Sequence, residues 1–212
     1  VKMVDAVPVT FQTTEANDFK ATVEQLEAAR TEKTKLILLN SPSNPTGMIY
    51  SREELEAIGA WALEHDILIL ADDIYGRLVY NGNTFTPISS LSDAIRKQTI
   101  VINGVSKTYA MTGWRVGFAV GDPEIISGMA KIISQTTSNL TAVSQYAAIE
   151  ALTGDQSSIE EMRQAFEERL NTIYPLLAEV PGFEVIKHML NFPFSINQEA
   201  DAVDAIIGFA HK

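Results

Sequence analysis

Ile67-Leu68-Ile69-Leu70-Ala71-Asp72-Asp73 is the stretch that decides the architecture. Its unbroken apolar run, too short for an ordinary helix, reads as a strand buried on both faces, and two carboxylates end it abruptly. Upstream, residues 35–39 (KLILL) have the same character and stop at the turn formers Asn40, Ser41 and Pro42. Between these runs Ser51-Arg52-Glu53-Glu54 is a capping box, with Glu54 placed to reach back to the cap. Leu55, Ile58, Trp61 and Ala62 give the helix that follows an apolar face. Downstream, Thr99 to Asn103 repeats the strand pattern and ends at Gly104, and Val116 to Val120 is a fourth candidate, closed by Gly121-Asp122-Pro123. Short continuous strands alternating with helices predict an α/β fold, a mostly parallel sheet with helices on both faces.

Past Pro123 the pattern turns helical, over about 123–137, 142–153 and 157–178. The last of these is rich in Glu and Arg, as suits a solvent-facing or domain-connecting helix. Pro181-Gly182 breaks it, and Phe183 to Ile186 reads as the strand that begins a second, smaller α/β domain. At the other end, residues 1–11 (VKMVDAVPVTF) read as strand material with no preamble, the middle of a domain rather than its beginning.

The 212 residues give room for one large domain or a domain and a half. A net charge of −11 argues against a binder of nucleic-acid backbones, which needs clustered Lys and Arg. On so acidic a chain an anionic ligand must be captured by a local cationic site. The absence of cysteine excludes disulfides, thiolate chemistry and zinc–thiolate sites. No apolar run approaches a membrane span and no signal-peptide pattern opens the chain, so the expectation is a cytoplasmic protein with no membrane contact.

Ligands of open α/β sheets bind outside the carboxyl ends of the strands. Asn44 lies in the Pro-rich loop after the first strand, Asp72 and Asp73 end the second, Lys107 follows the third, and Arg115 immediately precedes the fourth. Taken singly these are a turn, a cap and solvated surface groups. Taken together they place an amide, carboxylates, an amine and a guanidinium at one end of the sheet.

The set resembles the fold-type I enzymes that use pyridoxal 5′-phosphate (PLP), and more narrowly the class I aminotransferases of the aspartate aminotransferase type. The motifs are Ser41-Pro42-Ser43-Asn44-Pro45-Thr46-Gly47, then Asp72-Asp73-Ile74-Tyr75, then Ser106-Lys107 with Arg115 eight residues on. The stretch from Gly104 through Thr112-Gly113-Trp114-Arg115 to Gly117 is similar along its whole length to that family's lysine-attachment signature. The resemblance runs from about Val1 to about Lys187.

The resemblance implies PLP as cofactor, with Lys107 as the Schiff-base lysine that also moves the proton between the substrate and the cofactor. It implies that Asp72, three residues before Tyr75, pairs with the pyridine nitrogen, and that Asp73 is structural. Tyr75 and Asn44 match the groups that hydrogen-bond the phenolic oxygen, Asn44 also lying against the substrate. Arg115 matches the guanidinium that holds the phosphate, a bidentate role that lysine fills less well. Ser106 either adds a hydroxyl to the phosphate or only packs. Some relatives carry a phosphate-binding serine three positions before the lysine, where this chain has Gly104.

Ser134 to Asn139 matches a region that sits at the dimer interface in the family, so a homodimer is expected. His65, His188 and His211 match no functional position.

On this resemblance residues 1–156 are most of a PLP-binding large domain, 157–180 a connecting helix, and 181–212 the start of the small domain, atypical after Lys187. A Gly-rich phosphate loop, a ring-stacking aromatic and an arginine for the substrate carboxylate are expected outside this stretch. The expected reaction is transamination between an amino acid, aspartate by default, and a 2-oxo acid. Two alternatives stay open at this point: a PLP-dependent lyase or decarboxylase on the same fold, and a non-catalytic PLP-binding module of a transcription regulator.

Overall fold

The computed structural model describes residues 1–185 and 194–196. Three strands, β1 (Leu36–Asn40), β2 (Leu68–Asp72) and β3 (Thr99–Gly104), pair in parallel in that order, and β4 (Gly117–Val120) adds antiparallel to β3. Both β1 and β2 extend one residue beyond the apolar runs, because the ladder continues through the pair Asn40–Asp72. The polar residues expected in the following loops thus belong to the strand ends themselves.

Helix α2 (Arg52–Glu64) begins at Ser51 as its sequence predicts. The Ser51 side chain accepts from the Glu54 amide, and the Glu54 carboxylate accepts from the Ser51 amide. Its Leu55, Ile58, Trp61 and Ala62 pack on Leu39, Ile69 and Ala71 of the sheet, with Leu26 of α1 (Val23–Ala29) and Ile95 of α3 (Asp93–Lys97). Burying a side chain the size of Leu55 or Ile58 contributes about 1.5–3 kcal/mol. This cluster therefore anchors β1 and β2 and sets which face of each strand is covered.

Along β2 the alternation is visible residue by residue. Ile67, Ile69, Ala71 and Asp73 are buried, whereas Leu68, Leu70 and Asp72 are only half-buried. Adjacent residues of a strand point to opposite faces, so Asp72 and Asp73 leave the strand end in different directions. On β1, Leu39 is buried and Leu38 is 65% exposed, which marks the same two faces.

The three helices after β4 fall where the periodicity places them: α4 (Pro123–Thr136), α5 (Ala142–Thr153) and α6 (Ser157–Ala178). A second cluster joins Ala148 of α5 to Val105 and Val116, with Tyr109 and Met111 against it. Leu170 of α6 packs on Leu78 and Tyr80, and Arg163 donates to the Val79 carbonyl at 3.3 Å. The Asn81 amide bonds the Glu167 carboxylate, and Asn171 donates to the Asn81 side chain. Strand β5 (Phe183–Val185) pairs antiparallel with β6 (Phe194–Ile196).

Residues 1–11 differ from the expectation of a strand. They form a 3-10 turn over Lys2–Val4 and then run without regular structure. Val4, Val7 and Val9 are exposed, no strand pairs with this segment among the described residues, and Pro8 removes one donor. The segment after Lys187, with His188 and His211, lies outside the described residues. Among the described residues no helix is long and apolar enough to cross a membrane.

Candidate active site

The parallel register brings Asn40, Asp72 and Ile102 level at the carboxyl ends of β1, β2 and β3. From Asn40 the chain turns through residues 41–47, with cis bonds at Ser41–Pro42 and Asn44–Pro45 and Gly47 at φ 74°. Ser41 is buried and its hydroxyl accepts from the Tyr50 amide at 3.3 Å. Within the turn the Ser43 amide donates to the Met48 carbonyl and the Gly47 amide to the Ser43 carbonyl. The Asn44 amide donates to Asn40 Oδ1 at 2.9 Å, while Asn40 Nδ2 donates to the Asp72 carbonyl at 3.1 Å.

The Asp72 carboxylate accepts from the Ile74 amide at 3.2 Å and remains half-buried on the more open face of the sheet. Asp73, on the covered face, is 8% exposed. Its carboxylate has no hydrogen bond or ion pair among the described residues. Burial, aided by the neighbouring Asp72 charge, pushes its pKa up to about 6. These contrasting surroundings leave Asp72 as the carboxylate available to a ligand and Asp73 as part of the packing.

Tyr75 follows in the turn after β2. Its hydroxyl oxygen receives a hydrogen bond from Asn44 Nδ2 at 3.3 Å, and Lys107 Nζ lies 5.6 Å from the centre of its ring. The structure therefore brings Asn44, Tyr75 and Lys107 together from three different loops, next to the strand end that carries Asp72.

Lys107 is presented by a tight turn. Val105 is fully buried and Thr108 nearly so, which fixes the backbone on both sides and leaves the lysine side chain exposed. The Tyr109 amide donates to the Val105 carbonyl and the Ala110 amide to the Lys107 carbonyl, Ala110 taking a left-handed φ of 52°. The Tyr109 hydroxyl donates to Gln156 at 3.0 Å and ties the turn to the start of α6.

Arg115 is also left-handed, at φ 57°, and its guanidinium donates to the Thr112 carbonyl at 2.8 Å. Ser106 is half-buried. The hydrogen bonds that link Asn40, Asn44, Asp72 and Tyr75 do not extend to either residue.

Gly104 has a packing reason. It faces Gly117 across the β3–β4 pair, and a Cβ there would sit 2.7 Å from the Val116 carbonyl oxygen and 3.2 Å from the Gly117 Cα. A serine at this position, as in some relatives, would require the two strands to part.

The donor set suits PLP. The exposed amine of Lys107 can take an aldehyde, and the Asp72 carboxylate can pair with a ring nitrogen. The Asn44 amide and Tyr75 hydroxyl already converge as they would on one oxygen, and Arg115 is a guanidinium free of any carboxylate partner among the described residues. Asn40 is the residue that the sequence reading missed, taking it as a turn former only. Its signal was faint: an amide side chain at the end of a strand, four residues before another amide.

Three parallel strands carry an amine, a carboxylate, a phenol and an amide at their carboxyl ends, the place where open α/β sheets bind ligands. The family model for class I and II aminotransferases matches residues 1–202, and the chain belongs to that family.

Over 187 residues it is 76% identical to an asparagine–oxo-acid transaminase of Streptococcus mutans, covering 88% of this chain and 48% of that protein. Over the same length it is 52% identical to an aspartate aminotransferase of Bacillus subtilis, again covering 88% and 48%. The solved aspartate aminotransferase of Rhizobium meliloti superposes with a TM-score of 0.81 at 37% identity, over 85% of this chain and 46% of that one. The chain spans about half the length of the curated relatives it matches.

Proposed function

We propose that the whole protein is a PLP-dependent aminotransferase that moves the amino group of an aspartate-like amino acid to a 2-oxo acid. The observation that carries this reading is the convergence of Lys107, Tyr75 and Asn44 beside Asp72. When bound, the cofactor supplies an electron sink for the bond broken at the substrate's Cα.

This chain's own residues supply attachment, orientation and proton movement. Lys107 would attach the cofactor through its amine, and the same nitrogen would carry the proton taken from the substrate's Cα. Asp72 keeps a proton on the ring nitrogen by placing a negative charge beside it. Asn44 and Tyr75 would donate to the phenolic oxygen and favour its anionic form. Arg115 would hold the phosphate through its guanidinium, with Ser106 adding a hydroxyl.

The amino donor is asparagine or aspartate. The choice rests on the relatives at 76% and 52% identity, which are named for those two substrates. The protein works as a homodimer, supported by a run of exposed apolar side chains on α4 and α5 that includes Ile132, Val143, Tyr146 and Ile149.

The test is amino transfer from asparagine or aspartate to 2-oxoglutarate, assayed with the whole polypeptide that the gene encodes and added PLP. Lys107→Ala is expected to lower turnover by at least about a thousandfold, the scale of losing a covalent anchor and a proton carrier together. Turnover within tenfold of the unsubstituted protein would refute the proposal.

A further inference from the structure

We infer that Asn40 is a positioning residue that sets the spacing between the two groups gripping opposite sides of the PLP ring. The inference rests on the proposed function and adds a residue to it. One amide makes two hydrogen bonds to two different elements. Asn40 Oδ1 accepts from the Asn44 amide at 2.9 Å, and Asn40 Nδ2 donates to the Asp72 carbonyl at 3.1 Å.

Asn44 reaches the phenolic-oxygen side of the ring, where its side chain also meets Tyr75. Asp72 serves the ring nitrogen. The Asn40 amide therefore ties the backbone of one contact to the backbone of the other. A planar amide has one donor end and one acceptor end on a rigid frame, so the tie fixes a distance rather than merely filling space.

The surrounding chain depends on this tie. Pro42 and Pro45 carry no N–H, so the turn 41–47 has few backbone donors with which to hold itself. The Ser43 and Gly47 amides close the turn on itself, through Met48 and Ser43. The Asn44 amide is the donor that binds the turn back to the strand end, through Asn40. Without it the Asn44 backbone loses its link to the strand end, and the direction from which its side chain reaches Tyr75 and the phenolic oxygen is less firmly set.

Two substitutions separate the two bonds. Asn40→Ala removes both. Asn40→Asp keeps an acceptor for the Asn44 amide and loses the donor to the Asp72 carbonyl.

Two measurements on the whole polypeptide read the outcome. The first is hydrogen exchange of the segment 41–47, where Ser41, Ser43, Asn44, Thr46 and Gly47 carry the only amide protons. The second is the pH midpoint of the absorbance change of bound PLP. We expect Asn40→Ala to speed exchange at Asn44 about tenfold, as for loss of a hydrogen bond, with the amides of Ile69 and Leu70 unchanged. We expect it also to raise the chromophore midpoint by at least about half a unit, because the phenolic oxygen is less well held as an anion. Asn40→Asp restores slow exchange at Asn44.

Unchanged exchange at Asn44 in Asn40→Ala overturns the inference. So does faster exchange with an unmoved chromophore, which would make Asn40 a loop brace with no bearing on the cofactor. If the unsubstituted protein takes up no PLP, the proposed function itself falls and the inference with it. A chromophore present in all variants at one midpoint defeats the inference alone.

Discussion

Gly104→Ala adds one methyl group at the place where β3 hands the chain to Lys107. The new Cβ would lie 2.7 Å from the Val116 carbonyl oxygen and 3.2 Å from the Gly117 Cα. Both are backbone atoms, so no side-chain rotation relieves the overlap and the β3–β4 pair must open. Overpacking of this kind costs about 1–3 kcal/mol. For a chain of this length each kcal/mol lowers the melting temperature by roughly 2–4 °C, and a cost of about 2 kcal/mol lowers it by about 4–8 °C.

Gly128 in α4 is the control, because a Cβ there meets nothing within 4 Å. Gly128→Ala should instead stabilise by about 0.5–1 kcal/mol through helix propensity. The same methyl group is expected to act with opposite sign at the two positions. Urea unfolding followed by far-UV circular dichroism reads both. A Gly104→Ala protein within about 0.5 kcal/mol of the parent, the ordinary scatter of surface substitutions, would refute the close approach of the strands. Gly104→Ser carries the same overlap, so it should weaken PLP binding rather than add a phosphate contact.

Asp73 ionises at about pH 6 in the fold against 3.8 for the ordinary carboxyl, so the fold favours its protonated form. No penalty falls on the fold below pH 3.8; stability is lost progressively as the pH rises from 3.8 through 6, by about 3 kcal/mol in all. Asp73→Asn should remove that pH dependence from denaturant unfolding, and an unaltered profile would contradict the burial argument. In turnover the order reverses. Asp72→Asn should slow Cα deprotonation at least about a hundredfold, whereas Asp73→Asn leaves it within a few-fold; equal losses would mean that the two faces of the strand end have been exchanged. Ser51→Ala should cost about 1 kcal/mol by removing the α2 cap, measured by the same unfolding assay.

The strands and the long helices were legible because each is announced locally, by a continuous apolar run such as Ile67 to Ala71 or by a capping box such as Ser51 to Glu54. The motifs singled out Asn44, Tyr75 and Lys107, and the structure adds the contacts that join them. What sequence could not show depends on partners far along the chain. Asn40 reads as a turn former until its bond to the Asp72 carbonyl, 32 residues away, is known. Gly104 reads as a departure from a pattern until Gly117 is placed opposite it. Residues 1–11 have strand-forming side chains, but a strand also needs a neighbour, and their apolar groups remain exposed.

The central claim is that Lys107 is the amine that attaches the cofactor. Its most direct test is to load the whole polypeptide with PLP, reduce it with borohydride, digest it and locate the pyridoxyl label by mass spectrometry. With trypsin as the protease one labelled peptide is expected, Gln98 to Arg115, with the label on Lys107. A label on Lys97 or Lys131 instead, or scattered labelling that Lys107→Ala leaves unchanged, would contradict it.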